Sequence, residues 1–130
     1  MIDVEQYLRV PYLDAGRTMA GLDCWGQLLM VRREMGLPDL DPLSGVTRHT
    51  PLSMAHRYRE VSGMLEECVP QHAAIAAVFR ARVFVHVAVV ITIDNRLAVL
   101  ETNPKSGARW LWLRDFLSLY QAVTFYRDRT

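Results

Sequence analysis

Residues 83–103 read VFVHVAVVITIDNRLAVLETN, and this stretch decides the fold. Its two halves, residues 83–93 and 97–101, are rich in apolar and β-branched residues, which is typical of strands. Asp94 and Asn95 between them suit a two-residue hairpin turn, so the stretch predicts two antiparallel strands. Other short runs bounded by turn residues extend the predicted sheet, with strands at residues 73–79, 109–113 and 123–126 and a short helix at residues 115–120.

The clearest helix of the N-terminal half follows Asp23. Apolar residues recur at helical spacing from Cys24 onward. Gly36 and then Pro38 supply a stop, because glycine tolerates the left-handed conformation after a helix end and proline cannot continue the helix. We therefore predict a helix over residues 24–35 with Asp23 as its N-cap.

Two further helices complete the predicted architecture. A short helix over residues 3–8 has Asp3 as its expected cap, and a helix over residues 51–62 starts with a threonine cap and a proline in its first turn. Residues 37–50 are rich in proline, aspartate and serine, so they are expected to form a surface connection. Helices first and strands afterwards predict one α+β domain over residues 1–130, with N-terminal helices packed on one face of an antiparallel β-sheet.

The composition is that of a single soluble domain without a strong electric field. The chain has 130 residues, 51% of them apolar, with 15 basic and 14 acidic side chains. This balance argues against nucleic-acid and membrane-surface binding. The acidic N-terminus does not fit a signal peptide, and the apolar residues 83–93 are too few to span a bilayer. We expect synthesis in the bacterial cytoplasm, no membrane insertion, and Cys24 and Cys68 as reduced thiols.

Cys24 is the residue that most suggests chemistry, because its predicted place is the first turn of a helix. Unpaired N–H groups and the positive end of the helix dipole stabilise a thiolate at such a position. The same N–H groups can form an oxyanion hole. The alternative is a buried structural cysteine, which is the commoner role of a free cysteine.

A thiol nucleophile needs a base, and His86 is the strongest candidate among the four histidines. It interrupts an apolar strand, where an imidazole without a partner would cost roughly 1–3 kcal/mol. If the hairpin pairs its strands, Glu101 or Asn103 returns beside His86 and could orient the ring toward Cys24. The sequence leaves the choice between these two residues open. A hydrogen-bonded core histidine and a solvated Glu101 are the alternatives.

No metal or cofactor site is predicted. The two cysteines and four histidines lack paired ligand spacings such as Cys-x-x-Cys or His-Glu-x-x-His, and no phosphate-binding loop is present. The alternating tryptophans Trp110 and Trp112 are expected to pack in the core or at an interface rather than to stack on a sugar.

Two motifs, one around Cys24 and one beginning at His86, carry a resemblance to a known family. Residues 21–26 read Gly-Leu-Asp-Cys-Trp-Gly, preceded by Val-Pro-Tyr at 10–12 and Gly-Arg at 16–17, and residues 86–90 read His-Val-Ala-Val-Val. In this order they resemble the nucleophile helix and the histidine strand of NlpC-type cysteine peptidases, papain-like enzymes that cut peptidoglycan stem peptides. The Asp-Cys-Trp-Gly form, continued through residues 31–38, resembles a subgroup found in phage tail gene clusters.

The resemblance implies a papain-like fold and a role for each matching residue. Cys24 matches the nucleophile, His86 matches the general base, and Tyr12 and Asp23 are expected to bind the oxyanion or the substrate. Glu101 stands where a histidine is more usual as the third catalytic residue, and Asn103 is the alternative. Trp25 also replaces a commoner serine, and Gln71-His72 stand where a Gly-Asp pair often precedes the first strand.

The implied function is hydrolysis of an amide bond of the peptidoglycan stem peptide, expected between D-glutamate and the diamino acid, without a cofactor. The implied setting is a phage or prophage tail, so other tail proteins are expected partners. The differences from the family motifs at Glu101 and Gln71-His72 leave open a tail-assembly or tail-tip module that binds without cutting. An acyltransferase or amidase on the same scaffold is a further alternative.

Overall fold

Turn residues divide the chain into short helices and strands, which a computed structural model describes for residues 2–42 and 63–129. The helices of these residues are α1 (Val4–Leu8), α2 (Cys24–Glu34) and α3 (Leu113–Leu119). The strands are β1 (Arg17–Thr18), β2 (Gly21–Leu22), β3 (Leu65–Cys68), β4 (Ile75–Arg80), β5 (Val83–Ile93), β6 (Arg96–Asn103), β7 (Gly107–Trp112) and β8 (Val123–Asp128).

One antiparallel sheet dominates the described residues, with the strand order β3-β8-β4-β5-β6-β7. Its β5–β6 hairpin is the predicted one, because Ile93 pairs with Arg96 across the turn. Asp94 and Asn95 both have left-handed backbone angles, with φ of 51° and 63°. Hairpin turns of this type need positive φ at both central residues, and Asp and Asn tolerate it better than most. The predicted α+β class with an antiparallel sheet is confirmed.

Apolar side chains are buried on both faces of this sheet. On one face Trp25 and Leu28 of α2 pack in a cluster with Val89 of β5. On the other face Phe116 of α3 packs in a cluster with Val90 and its neighbours. The N-terminal helices therefore cover one face, as predicted, and α3 lies on the other face. The second face is also apolar, and α3 shields part of it from water.

Several local elements differ from the sequence prediction. The two-residue strands β1 and β2 form a small hairpin that the sequence did not predict. Strand β3 was not predicted, because its Leu-Glu-Glu-Cys sequence is half polar; it is held as an edge strand by pairing with β8. Asp3 stands at the N-cap of α1, but its side chain makes no capping hydrogen bond. The helix predicted at residues 51–62 lies outside the described residues.

A buried arginine joins α2 to strand β8 of the sheet. Arg32 is 1% exposed, and its guanidinium pairs with Asp128 of β8 at 2.6 Å and donates to the carbonyl oxygen of Pro38 at 2.9 Å. This ion pair links the C-terminal half of α2 to the sheet.

In residues 2–42 and 63–129, no helix is both long enough and apolar enough to cross a membrane.

Candidate active site

Helix α2 begins at Cys24 because Asp23 caps it. The backbone of Asp23 is extended, and its Oδ1 accepts a hydrogen bond from the Gly26 N–H at 2.8 Å. The predicted N-cap is thus confirmed, and Cys24 is the first helical residue, half-buried and a free thiol. The N–H groups of the first helical turn and the positive end of the helix dipole lie at this point.

The Asp23 carboxylate is fully engaged within the protein. Besides capping α2, it accepts hydrogen bonds from Arg17 Nη1 at 2.6 Å and from the Ala15 N–H at 3.1 Å, and it is 2% exposed. It does not line the cleft beside Cys24. These contacts favour a structural role, in which Asp23 holds the loop before α2. Its expected part in substrate binding stays a prediction.

A β-bulge lies directly before His86 in β5. The pairing of β4 with β5 shifts between the pairs Val78–His86 and Phe79–Phe84, so that Val85 is the extra residue. Because of this shift Phe84 packs beneath α2, whereas the His86 ring lies 5.4 Å from the ring of Tyr120. Bulges re-aim side chains in this way and often occur next to active sites.

Glu101 is the carboxylate that holds His86. Its Oε1 lies 2.8 Å from His86 Nε2 and also accepts from the Tyr120 hydroxyl at 2.8 Å. Its Oε2 accepts a hydrogen bond from Arg109 Nε at 2.9 Å and lies 2.9 Å from Arg109 Nη2 in the same ion pair. The Glu101 side chain is 0% exposed, so its charge is balanced and hydrogen-bonded entirely by these neighbours.

The electrostatics of this group favour a charged His86. Burial acts to lower the pKa of His86, but hydrogen bonds with Cys24 and Glu101 and the charges of both raise it to about 9. Burial acts to raise the pKa of Glu101, and the contacts with His86, Tyr120 and Arg109 outweigh it and hold that pKa below its usual value. At neutral pH the site therefore contains an imidazolium beside a carboxylate.

Asn103, the alternative third residue, hydrogen-bonds to the backbone of the turn that follows it. Its Oδ1 accepts hydrogen bonds from the backbone N–H groups of Lys105 and Ser106, both at 2.9 Å. Asn103 thus stabilises the turn between β6 and β7, while Glu101 contacts His86.

Tyr12 lies on the wall of the same cleft as Cys24. Its hydroxyl donates to Asp14 Oδ1 at 2.9 Å. Burial and this hydrogen bond raise the pKa of Tyr12, so the phenol stays protonated at neutral pH. To donate to an oxyanion instead, the hydroxyl would have to leave Asp14.

Two residues of the group, Arg109 and Tyr120, were not identified from the sequence as site residues. Arg109 is directly opposite Glu101 in the β6–β7 pairing. A hairpin centred on the Pro104-Lys105-Ser106 turn would have indicated this pair, since opposite charges often face each other across antiparallel strands. No local signal marks Tyr120, because it follows α3 and reaches Glu101 only through the tertiary fold.

An open cleft of about 1050 Å³ lies beside Cys24 and His86. It gives a half-buried thiol, a charged imidazole and a phenol access to a bound molecule. In the described part of the chain, no group of three or more His, Cys, Asp or Glu side chains is arranged to hold a metal ion.

The chain matches no model of a known protein family, and no curated protein is similar enough to it to count as a relative.

Proposed function

We propose that this chain is a papain-like cysteine peptidase that hydrolyses an amide bond of the peptidoglycan stem peptide. The observation that carries the proposal is the series Cys24, His86 and Glu101, in which a thiol at a helix N-terminus contacts an imidazole held by a buried carboxylate. Nucleophile, base and orienting group in hydrogen-bonding reach are the geometric signature of covalent catalysis.

The proposed reaction has two steps. The Cys24 thiolate attacks the amide carbonyl, N–H groups of the first turn of α2 stabilise the oxyanion, and the His86 imidazolium gives its proton to the leaving amine. This breaks the C–N bond and leaves a thioester on Cys24. Neutral His86 then takes a proton from water, which attacks the thioester, releases the carboxylic acid and regenerates the thiolate.

Glu101 acts here as a positioning residue. It accepts from His86 Nε2, which leaves the other ring nitrogen for Cys24. A carboxylate at this place would by itself stabilise the imidazolium strongly, but Arg109 and Tyr120 share its negative charge. Arg109 and Tyr120 hold Glu101 in one orientation, and Glu101 thereby holds the ring of His86.

The substrate and the setting rest on the motifs around Cys24 and His86. Their resemblance to NlpC-type peptidases supports the stem peptide as substrate, with the bond between D-glutamate and the diamino acid as the expected site of cleavage. The phage-tail form of the Asp-Cys-Trp-Gly motif supports a role in a tail particle that reaches the cell wall.

The pH dependence of alkylation at the two thiols tests the proposed nucleophile. Iodoacetamide is expected to modify Cys24 rapidly near neutral pH, and replacing His86 by alanine is expected to slow this reaction. Cys68 is the internal control, because burial raises the pKa of its thiol. Equal rates at the two cysteines, or no effect of His86→Ala, would contradict an activated nucleophile and favour a binding module.

Products from purified muropeptides test the reaction itself. Hydrolysis is expected to release a free carboxylic acid and the diamino acid fragment, and Cys24→Ala should abolish it. Transfer of the acyl group to an added amine, without free acid, would instead indicate an acyltransferase.

A further inference from the structure

The cleft beside Cys24 is lined by cations and, among the residues that the structure describes, by no carboxylate. Arg80, Lys105 and Arg109 all contribute to its wall. Two carboxylates touch lining residues: Asp14 accepts from Tyr12, and Glu101 lies fully buried, but neither lines the cleft itself. The whole chain has a net charge of only +1, whereas the described lining of this cleft carries these three cations and no carboxylate.

The strand order places two of these cations on opposite sides of the strand that carries His86. Arg80 ends β4, and Lys105 lies in the turn between β6 and β7. Strands β4 and β6 are the two neighbours of β5, so both cations lie at the end of the sheet where β5 begins. Both residues are exposed, and within residues 2–42 and 63–129 neither side chain makes a hydrogen bond or an ion pair.

Arg109 adds a third positive group that is only partly used. Its Nε–H donates to Glu101, its Nη2 lies in an ion pair with the same carboxylate, and its side chain is 37% exposed on the cleft wall. A guanidinium has five N–H donors, so the others can bind a carboxylate of a ligand.

We propose that the cleft selects substrates that carry a carboxylate near the scissile amide, with Lys105 and Arg80 as specificity-determining residues. This inference deepens the proposed peptidase function and rests on it for the identity of the substrate. A glutamyl residue linked through its γ-carboxyl keeps a free α-carboxylate, which three carbon atoms separate from the scissile carbonyl, whereas amidation of that group removes the charge. The unamidated stem peptide is thus the preferred form.

Two alkylating probes test the charge preference without a peptide substrate. Iodoacetate and iodoacetamide both lose iodide to a thiolate, and they differ in carrying a carboxylate or a neutral carboxamide. The measurement is the ratio of their rates at Cys24, followed by mass spectrometry in the full chain at low and at high ionic strength. The variants are Lys105→Gln, Arg80→Gln and the double variant.

Each substitution is expected to lower the iodoacetate-to-iodoacetamide ratio about two- to fivefold at low ionic strength, the size expected for charge pairs near a surface. High salt should reduce the difference. Arg33→Gln is the matched control. Arg33 is an exposed cation near the other end of α2, so this substitution removes the same net charge away from the cleft. It should leave the ratio unchanged.

The two proposals fail in different ways. A double variant with the ratio of the wild type, or with only the change seen in Arg33→Gln, overturns the anion preference. The rate with iodoacetamide alone reports the activated thiol and also shows whether each variant is folded. If that rate does not depend on His86, the peptidase proposal fails while the charge ratio can still be read.

Discussion

Replacing Glu101 by glutamine removes a charge from the centre of the site while keeping the shape of the side chain. The carboxylate now faces His86 through Oε1 at 2.8 Å and Arg109 through Oε2 at 2.9 Å. A glutamine has one carbonyl oxygen and one NH₂ group, so it cannot accept hydrogen bonds from both residues. We expect the His86 imidazolium to lose the negative charge beside it, and the pKa of His86 to fall.

The size of the effect follows from the pKa of His86, which the folded protein raises from 6.5 to about 9. Because a change of one in pKa corresponds to about 1.4 kcal/mol, the fold favours the imidazolium by about 3 kcal/mol. Burial opposes this preference, and the contacts with Cys24 and Glu101 produce it. An adjacent opposite charge accounts for a change in pKa of about 1 to 3, so Glu101→Gln should lower the pKa of His86 by that amount.

The sign of the pH dependence is determined by the raised pKa of His86. Its contribution to the free energy of unfolding is fully present below pH 6.5 and is lost as the pH rises through about 9. In Glu101→Gln this loss should move to lower pH and become smaller. Urea unfolding at a series of pH values measures both curves, with His86→Gln as the variant that lacks the titration.

NMR of labelled histidine rings measures the pKa of His86 directly, with His86→Gln used for assignment. Glu66→Gln is the matched control. Glu66 is also a glutamate paired with an arginine, Arg127 of β8, but it lies at the edge of the sheet and makes no contact with His86. It should leave the titration of His86 unchanged. A wild-type titration near 6.5, or the same pKa in wild type and Glu101→Gln, would refute the series Cys24–His86–Glu101 as described.

Three further substitutions test how the loop and the turns are built, each by urea unfolding. Asp23→Ala removes the cap of α2 and the buried partner of Arg17, and should lower the free energy of unfolding by about 1–3 kcal/mol; a neutral result would contradict the cap. Gly26→Ala places a Cβ well within 3 Å of the Gly16 carbonyl oxygen and should destabilise by about 1–3 kcal/mol, and wild-type stability would argue against this close approach. Arg82→Gly relieves a left-handed φ of 68° and should stabilise by up to about 1 kcal/mol, whereas destabilisation would show that the side chain is needed.

The features that the sequence predicted well are local ones. Asp23 before an apolar helical pattern predicted both the cap and the start of α2, and Gly36, with φ of 78°, marks its end as expected. Asp94 and Asn95 predicted the hairpin. Each of these depends on hydrogen bonds and backbone angles within a few residues, so a short window of sequence contains the information.

The features that the sequence did not predict depend on partners that are distant along the chain. Strand β3 contains Glu66, and it pairs as a strand because β8 supplies the backbone hydrogen bonds and Arg127 binds that glutamate. The apolar pattern of four residues cannot show this. Tertiary pairing overrides local propensity most readily in short edge strands.

The sequence by itself determined which residues are available for chemistry: a cysteine at a capped helix start, a histidine inside an apolar strand, and two polar residues at the end of the next strand. Only the tertiary structure decided between Glu101 and Asn103, since it places Glu101 against His86 and leaves Asn103 to bind the N–H groups of the following turn. The same packing brought Arg109 and Tyr120 to Glu101 and concentrated cations at the cleft. The physical reason is that a buried charge must be balanced by the partners that the fold places within a few Å. Which side chains come that close is determined by strand order and register, not by any single segment of sequence.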